Sequence, residues 1–215
     1  MNRCLLLAAL LLCASALATD DWHLAYDREG IRVYLKDAGD SPYQQFRGVS
    51  TMKASLRTLT DLQDNLRVAC KWLYACADMR LLKVEGDSTW VYLTTALPWP
   101  ATTRDIVLQV RTERLDDGTL LRHLRAVPGM VQRVPGQIRV RQLEGEWRMV
   151  PKGERLTEVT YQLQAEPAGD IPAWLANRFV IDAPVVTLRT LRAVAQRQPG
   201  RLTDVPENPP ETHAP

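Results

Sequence analysis

One arginine is the clearest candidate for a residue that does chemistry. Arg104 shares a strand face with Ile106 and Leu108, because alternate residues of a strand point to the same side. A buried guanidinium costs several kcal/mol unless a carboxylate, a polar ligand or water meets it. We therefore expect Arg104 either to orient the polar group of a ligand in a pocket or to reach water at the end of its strand.

Asp78 is the predicted acidic partner of Arg104. It begins a neighbouring predicted strand, and the loops can bring the starts of the two strands close together. Two other roles stay open for Asp78, because it could also cap the preceding helix or remain in water.

The other residue types show no catalytic arrangement. His23, His123 and His213 are scattered, so no set of base, nucleophile and orienting group can be argued. The sequence has no glycine-rich phosphate loop and no cluster with metal-ligand spacing. We predict no catalytic residue, no metal site and no cofactor.

The N-terminus has the pattern of a cleaved secretory signal peptide. Arg3 precedes the apolar run 4–13, and Ala16 and Ala18 provide a small-x-small cleavage site. A membrane anchor is the alternative, but a spanning helix needs roughly twenty apolar residues and this stretch has about fifteen. We predict a signal peptide over residues 1–18, cleavage before Thr19, and a periplasmic or secreted protein.

Two cysteines, Cys70 and Cys76, remain after this cleavage. Exported compartments favour a disulfide. On one continuous helix the two α-carbons would lie about 9 Å apart, which is too far for a bond. A disulfide therefore requires a helix end between them, and two free buried thiols are the alternative.

Charge and length restrict the class of protein. The chain has 27 basic and 25 acidic side chains, so it lacks the basic stripe that nucleic-acid binding requires. About 180 residues lie between the signal and the tail, which suits one domain with a core and a pocket. The tail, 199–215, is rich in proline and poor in apolar residues, and we predict that it is disordered.

Alternating apolar residues predict a mainly antiparallel sheet. The predicted strands are 31–36, 43–51, 77–85, 89–95, 104–114, 119–126, 138–150 and 158–165. Short turns join several of them, and strands joined by tight turns run antiparallel. In 138–150 the apolar parity changes near Gln142, which predicts a β-bulge or, alternatively, two shorter strands with a break.

Helical patterns occur twice. Ser55 is the predicted cap of a helix that ends before Trp72. The second helix, 171–198, has Asp170 as its N-cap and a mostly apolar surface, and Pro184 predicts a kink or a restart. A curved sheet around such a helix is an α+β fold that can leave an internal apolar cavity.

The segment 127–137 contains two Pro-Gly turns and an apolar tip at Met130 and Val131. Exposed apolar tips often mark contact surfaces or lids. We predict a gating loop, and a simple cover for the core is the alternative.

The order of the elements and several short strings together resemble the START (steroidogenic acute regulatory protein-related lipid-transfer) family over residues 22–198. The strings lie at 30–34, 46–48, 98–100, 103–107, 157–161 and 167–177. The resemblance implies a helix-grip fold whose tunnel binds one lipid and is closed by the terminal helix and a long loop. It also implies that Arg104 lies in the tunnel beside an acid near Asp78. The sequence lacks the longer N-terminal helical region of many animal members.

We therefore expect a carrier or sensor of a lipid or sterol-like small molecule, with transient contact to a membrane surface, no nucleic-acid partner and a monomeric state. The alternative is a helix-grip enzyme of the cyclase or hydrolase type. The residues expected to line the cavity are Arg104, Asp78, Tyr92, Ile106, Leu108, Trp147, Tyr161, Leu175, Phe179 and Val186.

Overall fold

A computed structural model describes residues 21–39, 41–97, 101–169, 171 and 173–197. The predicted signal peptide, the tail and the Asp170 cap lie outside these residues. The helices are α1 (Leu56–Asp64), α2 (Leu66–Ala69) and α3 (Ala173–Arg197). The strands are β1 (His23–Arg28), β2 (Ile31–Ala38), β3 (Ser41–Met52), β4 (Cys76–Glu85), β5 (Ser88–Thr95), β6 (Arg104–Arg114), β7 (Leu120–Ala126), β8 (Ile138–Arg139), β9 (Gln142–Gly153) and β10 (Leu156–Glu166).

All ten strands form one curved sheet. Its order is β1-β2-β3-β10-β9-β7-β6-β5-β4, and β8 adds to β6 beside this path. Every pair along the path is antiparallel, and only the short β8 pairs in parallel. Helix α3 packs on β2 and β3. The α+β fold with a C-terminal helix held by the sheet is confirmed.

The predicted β-bulge near Gln142 is wrong, and the alternative of two strands is what the structure shows. β7 ends opposite Leu108, so the first residues of β6 have no partner from β7. Ile138 and Arg139 pair with that free stretch, and Val140 N donates to Asp105 O over 2.9 Å. After β8 the chain leaves the side of β6 and continues as β9, between β7 and β10. The apolar parity therefore changes where the pairing partner changes from β6 to β7 and β10.

The first helical segment begins as predicted and ends earlier. Ser55 Oγ accepts a hydrogen bond from Thr58 N over 3.1 Å, which satisfies one of the free amides of the first turn. The segment then breaks at Asn65, so the predicted single helix is two, α1 and α2. Because α2 ends at Ala69, the chain can turn back after Cys70 and begin β4 at Cys76.

Helix α3 rests directly on a glycine of β3. A β-carbon at Gly48 would lie 2.8 Å from Leu188 Cδ1 and 2.9 Å from Pro184 Cβ, so only glycine allows this close approach. The helix runs through Pro184 without the predicted restart. Leu188 is fully buried at this contact, and Leu191, one turn further along the helix, is fully buried too. Within the described ranges, no helix is both long enough and apolar enough to span a bilayer.

Candidate functional site

A cavity of about 450 Å³ lies between the sheet and α3. Its volume falls in the range of ligand pockets, about 300–1,000 Å³. Its wall is mostly apolar and comes from most strands of the sheet, from the α1–α2 region and from α3. The cavity can therefore bury an apolar molecule and remove it from water.

Strand β6 provides the floor of the cavity. Alternate residues of β6 line it, namely Arg104, Ile106, Leu108, Val110 and Thr112. The register sets Thr95, Leu93 and Val91 of β5 beside the first three of them. The alternation therefore places one cation beside three consecutive apolar members of the row, Ile106, Leu108 and Val110.

Seven of the ten residues predicted to line the cavity do so. These are Arg104, Ile106, Leu108, Trp147, Tyr161, Leu175 and Phe179. The described wall does not include Asp78, Tyr92 or Val186. Helix α3 reaches the cavity with Leu175, Ala176, Phe179, Val180, Ala183 and Thr187, and Val186 belongs to another side of it.

Tyr92 faces away from the cavity. It pairs with Val107, whereas its neighbours Val91 and Leu93 pair with the inward Leu108 and Ile106. Its hydroxyl lies 3.0 Å from Asp105 Oδ2, on the opposite side of the sheet from Arg104. Burial, and then the hydrogen bond to Asp105, raises the pKa of the Tyr92 phenol. The prediction that Tyr92 lines the cavity is wrong, because alternation along β5 places its side chain on the outer face of the sheet.

Asp78 is not the partner of Arg104. The register links Asp78 to Thr94 and Thr94 to Asp105, which places all three on the face opposite Arg104. A register shift just before Asp78 contributes to this placement, and the side chain is exposed. A solvated carboxylate, one of the alternatives, is what the structure shows.

The Arg104 guanidinium is buried, with 2% of the residue exposed. Its hydrogen bonds go to backbone carbonyls: Nη1 donates to Thr102 O, Nη2 to Ala168 O over 3.3 Å, and Nε to Pro167 O over 3.5 Å. Among the described residues no carboxylate forms an ion pair with it. Burial lowers the pKa of the guanidinium from its usual value. Within the described part of the chain, backbone dipoles alone balance the positive charge at this end of the cavity.

Four aromatic side chains form a continuous wall. The rings of Trp147 and Tyr161 stack with centroids 4.0 Å apart. Phe46 meets Tyr161 edge-on at 5.1 Å, and Trp72 meets Trp147 edge-on at 6.0 Å. Burial raises the pKa of the Tyr161 phenol, so it stays protonated. These rigid rings form one continuous part of the cavity wall.

The predicted disulfide between Cys70 and Cys76 is confirmed, with α-carbons 4.9 Å apart. The residues between them turn back from α2 to β4. Three of these residues, Trp72, Leu73 and Tyr74, line the cavity. Tyr74 N also donates to Thr187 Oγ1 of α3 over 3.1 Å, so the disulfide loop touches the terminal helix.

The START domain family model matches residues 7–201. The chain belongs to the START domain family. It is 47% identical over 198 residues to an uncharacterized protein of Pseudomonas aeruginosa, covering 92% of this chain and 98% of that protein. It is 27% identical over 170 residues to human phosphatidylcholine transfer protein, covering 75% of this chain and 78% of the other. A STAR-related lipid transfer protein from Xanthomonas axonopodis superposes with a TM-score of 0.77 at 34% identity, covering 82% of this chain and 99% of that one.

Sequence reasoning missed a second polar end of the cavity in this START domain. Arg122 of β7 points inward between Leu120 and Leu124, and 8% of it is exposed. Its Nη1 lies 2.8 Å from Oδ1 of the exposed Asp64. The signal was present in the sequence, since Arg122 interrupts an apolar face just as Arg104 does.

The cavity of the START domain opens beside the edge strand β4. Leu81 and Val84 of this strand line the cavity and are also exposed, with 54% and 61% of their surface accessible. The described wall includes neither Met130 nor Val131 of the predicted gating loop. Met130 is exposed and Val131 half-buried, so the gating role of this loop stays a prediction.

Proposed function

We propose that this START domain carries one lipid molecule in its cavity, outside the cytoplasm. The observation that carries the proposal is the buried Arg104 at one end of a mostly apolar cavity. The apolar wall favours an acyl or ring system, and Arg104 favours an anionic or strongly polar head. The names of the Xanthomonas and human proteins, both lipid transfer proteins, support this class of ligand.

The proposed location rests on two features. The N-terminus has the pattern of a secretory signal peptide, and Cys70 and Cys76 are bonded. Structural disulfides persist in oxidising compartments. Both features support a periplasmic or secreted carrier.

We also propose that the carrier works as a monomer that touches membranes transiently. The large exposed apolar side chains include Leu81, Val84, Met130 and Trp174. Exposed apolar residues of this size suit brief contact with a membrane surface. Leu81 and Val84 stand at the opening of the cavity, where a lipid would pass.

A carrier fits the cavity better than the cyclase or hydrolase alternative. An enzyme of that kind needs an acid and a base that face the substrate. The carboxylate among the described wall residues, Asp64, is exposed and paired with Arg122.

The test is native mass spectrometry of the protein purified from periplasm, followed by extraction and identification of any bound lipid. The blocking variant is Val110→Trp, which fills the cavity from its floor. The matched control is Arg111→Trp, the next residue on β6, which points to the outer, exposed face. We expect one lipid per chain in the parent and the control, and none in Val110→Trp. Equal lipid content in all three would contradict the proposal.

A further inference from the structure

The end of the cavity near Arg122 holds buried polar atoms that have no partner within the described part of the chain. They are Gln63 Nε2 and Oε1, Trp72 Nε1 and Arg122 Nε. The three residues are 9%, 5% and 8% exposed, and all three line the cavity. Buried polar groups are almost always hydrogen-bonded in native proteins, so several unmet groups facing one space indicate a missing partner.

The fold brings these groups to one end. The register sets Arg122 beside Thr112 of β6 and beside Trp147 of β9. Trp72 meets the ring of Trp147 edge-on. Gln63 precedes Asp64, whose carboxylate binds Arg122. The residues with unmet polar atoms are therefore contributed by α1, the disulfide loop and β7.

The charges of the two ends differ. The charge of Arg122 is compensated by Asp64, so what remains is one guanidinium N–H, one indole N–H and a complete amide. This set can both donate and accept, which suits a neutral hydroxyl, carbonyl or amide. Among the residues that the structure describes, the partners of Arg104 are all backbone carbonyls, which suits an anionic ligand group.

The distance between the ends sets the length of a ligand that reaches both. Arg104 and Thr112 are the first and last inward residues of the β6 floor. At 3.3 Å per residue they lie about 26 Å apart along the strand. Ile106, Leu108 and Val110 make the stretch between them apolar. A long acyl chain is the simplest molecule with this profile.

We propose that the ligand has two polar ends: an acidic head held by Arg104 and, across an apolar chain, a neutral hydrogen-bonding group held by Gln63, Trp72 and Arg122. The inference rests on the proposed lipid-carrying function and specifies its ligand class. An ordinary acyl chain would leave the far groups unmet, and the protein therefore prefers a chain that is hydroxylated or amidated at its end.

The test compares hexadecanoic acid with 16-hydroxyhexadecanoic acid by isothermal titration of the delipidated mature protein. We expect the hydroxy acid to bind about tenfold more tightly. In Gln63→Leu, which keeps most of the volume and removes both amide atoms, we expect the ratio of the two affinities to fall to about one while hexadecanoic acid still binds. Trp72→Phe, which keeps an aromatic ring and removes the N–H, should reduce the ratio in part and serves if Gln63→Leu does not fold.

The matched control is Gln45→Leu, the same substitution at a β3 residue outside the described cavity wall, and it should leave the ratio unchanged. Equal affinities in the parent, with both acids bound, would mean that the far groups serve bound water only; the inference would fail and the lipid-carrying function would stand. An unchanged ratio in Gln63→Leu would also overturn it. Binding of neither acid would overturn the inference and the anion-binding role of Arg104 together, whereas the lipid content of the purified protein tests carriage independently.

Discussion

Arg139 Nη2 lies 2.6 Å from Asp105 Oδ2, in an ion pair whose two side chains are almost fully buried. The hydrogen bond to Asp105 raises the pKa of the guanidinium. The same guanidinium donates to three carbonyls of the 127–137 loop, those of Pro128, Val131 and Gln132. One buried pair on the outer face of the sheet therefore fixes the backbone of the predicted gating loop.

Breaking the Asp105–Arg139 pair should lower the stability of the whole domain as well as release the loop. Asp105→Asn leaves the Arg139 charge buried without compensation, and we expect the free energy of unfolding to fall by about 3–5 kcal/mol. Urea titration measures it, with Asp116→Asn in an exposed turn as the control of near-zero effect. A loss below about 1 kcal/mol would mean that the pair contributes little.

The apolar tip of the loop should matter for exchange with membranes. Met130→Asp with Val131→Asp places two carboxylates at the tip, and their desolvation at a bilayer should slow lipid exchange between vesicles by about tenfold, or about 1.4 kcal/mol. Equilibrium binding of a soluble ligand should change little. The control, Gly129→Asp with Gln132→Asp, adds the same charge to the same loop without removing apolar surface. Unchanged exchange in the first variant would place the gate elsewhere.

Arg104 should act on the ligand more than on stability. Arg104→Leu removes a buried cation but leaves three carbonyls without their donor, so the two effects on stability oppose each other. We expect the affinity for an anionic lipid to fall tenfold or more, with a much smaller change in thermal stability. Arg111→Leu, on the opposite face of β6, is the control. Intact binding with a lower melting temperature would make Arg104 structural.

Gly48 should tolerate no side chain. The β-carbon of Gly48→Ala would press on Pro184 and Leu188, and we expect a loss of about 1–3 kcal/mol in the free energy of unfolding. Gly129→Ala is the control, because a β-carbon there meets no atom within 4 Å. Denaturant unfolding measures the free energy of unfolding of both variants. Equal values for Gly48→Ala and Gly129→Ala would show that α3 can move away from β3 without loss of stability.

The disulfide should stabilise the mature protein, which we predict to start at Thr19. Replacing Cys70 and Cys76 by serine should lower the free energy of unfolding by about 2 kcal/mol, the value expected for a short closed loop. Intact mass of periplasmic material checks both the start and the bond, since two free thiols add the mass of two hydrogen atoms. A measured mass equal to that of the form with two free thiols would contradict the disulfide in solution.

Strand alternation predicted most of the fold because most strands have one buried face. Val159, Tyr161 and Leu163 of β10 are buried and alternate with half-buried polar neighbours, and the strand was predicted from this alternation. β1 was missed because five of its six residues are exposed and carry little of the core. Local pattern therefore indicates a strand only where burial acts on one face.

Strand alternation predicts which side chains of a strand point into the cavity. It placed Arg104 inward correctly, and the same rule would have found Arg122 and excluded Tyr92. It could not pair Arg139 with Asp105, because that contact depends on the parallel addition of β8 to β6. Partners from distant segments depend on register, which the sequence of a single strand does not specify.

The disulfide also makes part of the cavity wall depend on the redox compartment. Trp72, Leu73 and Tyr74 stand between the two bonded cysteines and are part of the wall. On the proposed exported route, the bond forms only after the chain leaves the reducing cytosol. Oxidation therefore cross-links a stretch of the cavity wall, so the wall of the exported protein contains a covalent tie that the wall of a chain in the cytosol lacks.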